Sequence, residues 1–284
     1  MNEKIGIVGA GQMGRGIAHV AALAGYDVFL ADNSLELAQR GQGILASSLK
    51  KLVEKQKISS EQCEDLIGRI KPVNTFDLES IDALSCVIEA APEDIQIKKE
   101  IFTRLDATLN PSVLLASNTS SISITQIAAF CKHASRVIGM HFMNPVPLMA
   151  LVEVIRGVQT SDETYQKTKE LAARFKKTVV TSQDYPGFIV NRVLMPMINE
   201  AAYALMEGVA SADDIDTAMK LGTNQPMGPL MLADLIGLDT CLAILEVMHR
   251  DLGDPKYRPC PLLRNKVHSG SLGRKTGCGF HKHA

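Results

Sequence analysis

Apolar and polar positions fall into blocks whose period changes along the chain. Lys4 to Val8 is a short apolar run of strand length, Gly9 to Gly14 interrupts it, and Met13 to Leu23 repeats apolar residues at helical spacing up to Gly25, a C-terminal cap. Tyr26 to Ala31 reads as a second strand ending at Asp32. A long helical pattern covers Ser34 to Lys57 and a shorter one Ser60 to Ile67. Further strands are expected near Ile70 to Val73, Cys86 to Ala90, Val113 to Ala116, Arg136 to Phe142, Leu151 to Arg156 and Thr178 to Thr181. Helices are expected at Asp94 to Leu109, Ile124 to Phe130 and from Ser161 to Phe175.

Strands alternating with helices predict a mostly parallel sheet covered on both faces. Past Tyr185-Pro186-Gly187 no convincing strand follows. The remaining patterns are helical: Phe188 to Met206 closed by Gly208, a helix opened by the capping pair Ser211 and Asp214, then Leu230 to Ile236, Asp239 to Asp251 and Leu262 to His268. The expectation is an α/β Rossmann-like domain over 1–185 followed by an all-α C-terminal domain over 186–284. Its length of 284 residues is ample for two cores.

Charge narrows the partners. Lys and Arg number 30 against 31 Asp and Glu, so no net field draws the chain to nucleic acid or to an anionic membrane, and a small-molecule partner is expected. The six cysteines, at 63, 86, 131, 241, 260 and 278, form no CxxC pair, which argues against zinc and against a disulfide framework. The opening Met1-Asn2-Glu3-Lys4 leads straight into a strand with no signal-peptide or transit pattern, and no run of eighteen apolar residues occurs, so a soluble cytoplasmic protein without a membrane segment is expected.

Gly9-Ala10-Gly11-Gln12-Met13-Gly14 matches GxGxxG in a strand–loop–helix–strand context. There the first glycine permits the tight turn, the second lets backbone approach a pyrophosphate, and the third lets helix and strand pack closely. The helix N-terminus adds N–H donors and partial positive charge. Asp32, 23 residues after Gly9, sits where a carboxylate accepts from ribose hydroxyls and repels a 2′-phosphate, favouring NAD over NADP. Read alone, Asp32 is also a turn or cap aspartate before Asn33 and Ser34.

Glu153 lies inside the apolar run Leu151-Val152-Glu153-Val154-Ile155, twelve residues past His141. A carboxylate among aliphatics needs a partner, and the imidazole at the end of the preceding strand is the candidate; pairing would make His141 a base. Ser117-Asn118-Thr119-Ser120-Ser121 follows a strand's C-terminal end, where open α/β sheets place ligands, so its hydroxyls are candidates for a substrate oxygen, with Ser123 the likelier helix cap. Asn191 is a polar residue in an apolar helical start, and a substrate carbonyl is one possible partner for its amide. Glu93, Lys98 and Lys275 read alone as solvated charges.

Together these segments resemble the 3-hydroxyacyl-CoA dehydrogenase family, especially its short-chain 3-hydroxybutyryl-CoA type. The likeness runs in family order through GIVGAGQMGRGIA at 6–18, SNTSS at 117–121, GMHFMNPVPLMALVEVI at 139–155, PGFIVNRV at 186–193, DIDTAMKLG at 214–222, PMGPLMLADLIGLDT at 226–240 and GRKTGCGF at 273–280. The resemblance implies an NAD-dependent oxidoreductase acting on an acyl-CoA thioester in fatty-acid or butyrate metabolism. It implies His141 and Glu153 as catalytic pair, with Ser120 and Asn191 on the substrate oxygen. It also implies cofactor contacts from Gly9, Gly11, Gln12, Met13, Gly14, Asp32, Glu93, Lys98, Ser120, Asn144 and Lys275, and coenzyme A contacts from Ser48 and Lys55. No metal site is implied, and a homodimer through the helical domain is. The rivals are a catalytically silent NAD-binding protein on the same scaffold and a free β-hydroxyacid dehydrogenase, which normally uses a lysine base. One departure is the tail, Phe280-His281-Lys282-His283-Ala284, in place of the family's aromatic-rich ending; its histidines are given no role.

Overall fold

The computed structural model describes residues 3–283; Met1 and Asn2 of the N-terminal lead and Ala284 of the tail lie outside them. The N-terminal unit, ending at Tyr185, carries β1 (Lys4–Val8), α1 (Gln12–Leu23), β2 (Asp27–Asp32), α2 (Leu35–Glu54), α3 (Ser60–Arg69) and β3 (Ile70–Asn74). It continues with β4 (Leu84–Glu89), α4 (Ile95–Thr108), β5 (Leu114–Ser117), α5 (Ile124–Ala128), β6 (Val137–Phe142), β7 (Leu151–Arg156), α6 (Asp162–Arg174) and β8 (Thr178–Gln183). The eight strands form one sheet in the order β3-β2-β1-β4-β5-β6-β7-β8, parallel from β3 to β6. β7 then runs antiparallel to β6, and β8 parallel to β7.

Burial follows from helices on both faces. β5 and β6 are buried at every residue, whereas the edge strands β3 and β8 are mixed, and β3 tolerates Pro72 because an edge strand needs hydrogen bonds on one side only. Ser34 caps α2, Ser59 and Gln62 close a full capping box on α3, and Asp94 caps α4 by accepting from Gln96 and Ile97 N–H. Ser123 caps α5 as expected, with help from Asp184, which accepts from Ser123 Oγ and from the N–H of Ile124 and Thr125.

The unit beginning at Pro186 contains α7 (Val190–Met206), α8 (Ala212–Gly222), α9 (Pro229–Ile236), α10 (Leu238–Leu252) and α11 (Pro261–His268), with isolated bridges as its β-structure among the described residues. Its core joins Ile198, Leu230, Leu238, Leu245, Met248 and Leu263. The two tail histidines, given no role from sequence, fasten this unit: His281 Nε2 donates to Asp216 at 2.8 Å and His283 Nε2 to Asp234 at 2.8 Å. Asp216 also accepts from the first-turn N–H groups of Leu230 and Met231, and Asp234 from those of Phe280 and His281. These contacts need long-range closure, which explains why local pattern missed them.

Arg136 and Asp106 form a buried pair, Nη2 to Oδ1 at 2.8 Å. Burial pushes the Asp106 carboxyl up, but the Arg136 guanidinium and the N–H groups of His133 and Lys132 outweigh it and hold the group below the ordinary carboxylate value. Asp106→Asn should therefore cost on the order of 3 kcal/mol at neutral pH, since it strands a buried guanidinium. A depressed carboxyl contributes its stability above its unfolded pKa of about 4 and loses it as pH falls through the folded value. Urea unfolding of both proteins should show a gap that is constant at neutral pH and narrows below about pH 4.

Candidate active site

Strand order reverses at β1, whose neighbours are β2 and β4, and the loops at the C-terminal ends of such strands are where open α/β sheets bind ligands. Gly9 follows β1 with φ +103°, and a Cβ there would lie 2.5 Å from the Ala90 carbonyl oxygen. A Cβ on Gly14 would fall 1.7 Å from the Gly9 oxygen, so α1 can pack on the loop only with glycine at that position. Gly11 meets nothing within 4 Å: the backbone at the N-terminus of α1 faces open space, and no side chain caps it. That leaves first-turn N–H donors for an anionic ligand.

A groove of about 980 Å³ runs past Gly9, Gly11, Gln12, Met13 and Asp32. Asp32 terminates β2, and its Oδ2 accepts from Ala10 N–H at 2.8 Å, which holds the carboxylate beside the glycine loop. An open glycine cradle, uncapped N–H donors and an acid at the end of the second strand fit a dinucleotide.

His141 and Glu153 stand directly opposite in the antiparallel β6–β7 ladder, and Nδ1 donates to Oε2 at 2.7 Å. Glu153 has no exposed surface and His141 is 6% exposed. Asn144, in the loop after β6, accepts from Gln12 Nε2 at 3.1 Å, so the glycine-loop helix and the His141 strand converge. Ser120 belongs to the loop after β5. Its N–H donates to Glu93 Oε1 at 2.9 Å, beside donations from Thr119 Oγ1 and Ser121. Partial desolvation pushes the Glu93 carboxyl up; the Lys98 ammonium, 3.4 Å away, and these donors more than offset it, so the group stays ionised to lower pH than usual.

Lys98, which pattern alone places on a wet helix face, is instead buried, with its ammonium 2.7 Å from Glu89. Ser48 and Lys55 are exposed on or beside α2; Ser48 Oγ donates to the Ile44 carbonyl and Lys55 is the helix's C-terminal cap residue. In the second unit Asn191 is buried in the first turn of α7, and Lys275 donates to both oxygens of Asp239 at 2.6 Å. One residue, Glu89, went unnoticed in the sequence, and for Asn118 and Thr119 the contacts they make could not be read there. Glu89 ends β4 as a buried acid, Thr119 hydrogen-bonds to Glu93, and Asn118 Oδ1 accepts from Phe142 N–H at 2.8 Å. A signal for Glu89 existed: it ends the apolar run Cys86-Val87-Ile88, as Glu153 sits in its own.

This fold and groove define a two-unit NAD-binding dehydrogenase. Residues 4–185 match the 3-hydroxyacyl-CoA dehydrogenase NAD binding domain and residues 187–283 the C-terminal domain of the same enzymes, and the chain belongs to the 3-hydroxyacyl-CoA dehydrogenase family. Among relatives, it is 54% identical over 280 residues to the probable 3-hydroxybutyryl-CoA dehydrogenase of Deinococcus radiodurans, covering 99% of this chain and 100% of that one. It is 52% identical to the 3-hydroxybutyryl-CoA dehydrogenase of Bradyrhizobium diazoefficiens, covering 98% and 94%. The crystal structure of (S)-3-hydroxybutyryl-CoA dehydrogenase from Ralstonia eutropha superposes with TM-score 0.94 at 48% identity, covering all of both chains.

NAD is the cofactor, and Asp32 lines the groove at the end of β2. Asp32→Ala should raise the NADH dissociation constant about tenfold or more, the worth of hydrogen bonds to a charged group, while leaving NADPH binding unchanged or tighter. Titration by nucleotide fluorescence checks this; unaltered NADH affinity would remove Asp32 from the site.

Proposed function

We propose that this protein oxidises (3S)-3-hydroxyacyl-CoA thioesters, 3-hydroxybutyryl-CoA in particular, to the 3-ketoacyl-CoA and catalyses the reverse reduction. The names of its full-length relatives support the substrate class, and the His141–Glu153 contact at 2.7 Å carries the mechanism.

NAD, when bound, supplies the acceptor for the hydride leaving C3. His141 takes the proton of the C3 hydroxyl at Nε2, because Nδ1–H is committed to Glu153. Glu153 fixes the ring's tautomer and orientation and balances the imidazolium that forms, and its lack of exposed surface keeps water from screening that interaction. In reduction the imidazolium returns the proton to the carbonyl oxygen. Ser120 holds that oxygen, and the family resemblance assigns Asn191 to the substrate as well. Asn144, Glu93 and Lys275 serve the cofactor, and Ser48 and Lys55 serve coenzyme A, whereas Lys98, 1% exposed and paired with Glu89, is set too deep to touch either. The protein works as a cytoplasmic homodimer through its helical domain, where Val193 and Val209 expose 69% and 71% of their surfaces.

His141→Ala should fold, bind NADH normally and lose about 10²- to 10⁴-fold in kcat on acetoacetyl-CoA. Glu153→Gln should lose less, because the ring keeps a hydrogen-bond partner but not its counter-charge. Near-normal turnover of folded His141→Ala would end this assignment, and inactivity of the unaltered protein on both acetoacetyl-CoA and a longer 3-ketoacyl-CoA would end the substrate reading. Sedimentation should give twice the chain mass, and Val193→Glu should shift it toward the monomer.

A further inference from the structure

Glu89 ends β4 with no exposed surface, and its carboxylate receives three donors. Oε1 accepts from Ala91 N–H and from Lys98 Nζ, each at 2.7 Å, and Oε2 accepts from Ser117 Oγ, the last residue of β5, at 2.6 Å. Ser117 Oγ in turn accepts from Thr119 N–H at 3.2 Å. Lys98, 1% exposed on α4, reaches past Glu89 to Glu93 Oε2 at 3.4 Å, and Glu93 Oε1 holds the main chain of Ser120 and Ser121. Two arms thus run from Glu89 to one loop: a short one through Ser117 to Thr119, and a longer one through Lys98 and Glu93 to Ser120.

Stability is a weak reason for such a pair. Desolvating two charges costs several kcal/mol each, and well-packed apolar replacements of a buried ion pair are often neutral or stabilising. What the pair supplies that apolar side chains would not is direction, because each bond fixes an angle as well as a distance.

We propose that Glu89 and Lys98 are positioning residues for the oxygen-binding loop: they set the main chain of Ser117–Ser121 so that the Ser120 hydroxyl meets the reacting oxygen. The proposal rests on the assignment of Ser120 made above. Neither residue touches the substrate. A misplaced Ser120 weakens the contact that matters most in the transition state, so kcat suffers while ground-state binding is spared.

The decisive variant is the near-isosteric, charge-balanced double substitution Glu89→Gln with Lys98→Met. Each single change strands one buried charge and should lower Tm; the double change should recover most of that loss. With Tm recovered, kcat for acetoacetyl-CoA reduction should stay about 10- to 100-fold down, the cost of a misplacement near 1 Å, while KM for the thioester and the NADH dissociation constant move less than about threefold. Wild-type kcat in the double variant would overturn the proposal by showing a purely structural pair. A fall in NADH affinity matching the fall in kcat would overturn it by showing that the pair serves the cofactor.

Ser117→Ala cuts only the short arm and keeps both charges, so it remains informative if the double variant does not fold. It should lower kcat about three- to tenfold at unchanged KM and NADH affinity, and an unaffected kcat would count against the proposal. Ser120→Ala, measured alongside, separates the two levels. If it is fully active, the Ser120 assignment fails and the positioning role falls with it. If it is impaired while the Glu89/Lys98 and Ser117 variants are not, only the positioning role fails.

Discussion

Glu153 is ionisable, sits in an aliphatic strand and has no contact with solvent, and a carboxylate leaves water only where donors replace its hydration. One donor is His141 Nδ1, and bringing it to 2.7 Å requires β7 to run antiparallel to β6 in the register that sets the two residues opposite each other. A slip of one residue would turn Glu153 toward the other face of the sheet and break its contact with His141. One contact thus couples sheet topology, ladder register and the tautomer of the imidazole. The reversal of direction between β6 and β7 is what makes the pair possible.

Labour within the N-terminal unit is divided between backbone and side chains. The dinucleotide end is built from absences: glycine where a Cβ would strike Ala90 or Gly9, open space at Gly11, and an uncapped helix terminus. The end around His141 is built from buried polar groups that must all be matched, as in the Glu153–His141 pair and the Glu89–Lys98–Ser117 cluster. The first design tolerates no added atom. The second tolerates no missing partner.

Much of this was legible without coordinates. Element ends came out within a few residues because the helix starts were chemical, as at Ser34, Asp94, Ser123 and Ser211, and because the inner strands were continuous apolar runs between two helix layers. The pairing of Glu153 with His141 followed from one rule about buried charge. The same rule applied to Glu89 at the end of Cys86-Val87-Ile88, yet its partners lie on α4 and β5, and no local spacing announces them. Lys98 illustrates the converse: on helical periodicity it is one charge among several, and only the packing of α4 on the sheet decides that its ammonium is buried. The tail histidines belong with these, since Asp216 and Asp234 lie 65 and 49 residues from the imidazoles they meet.

By itself the sequence determined the class of fold, the glycine cradle, the acid that ends the second strand, and the pairing of an imidazole with a buried carboxylate, because each depends on short-range sterics or on the bare cost of a charge among aliphatics. Tertiary structure alone decided which strand lies antiparallel, which acids and cations share a buried cluster, and which main-chain groups they hold. Those outcomes depend on distances between segments far apart in the chain, and a hydrogen bond is won or lost over less than an ångström.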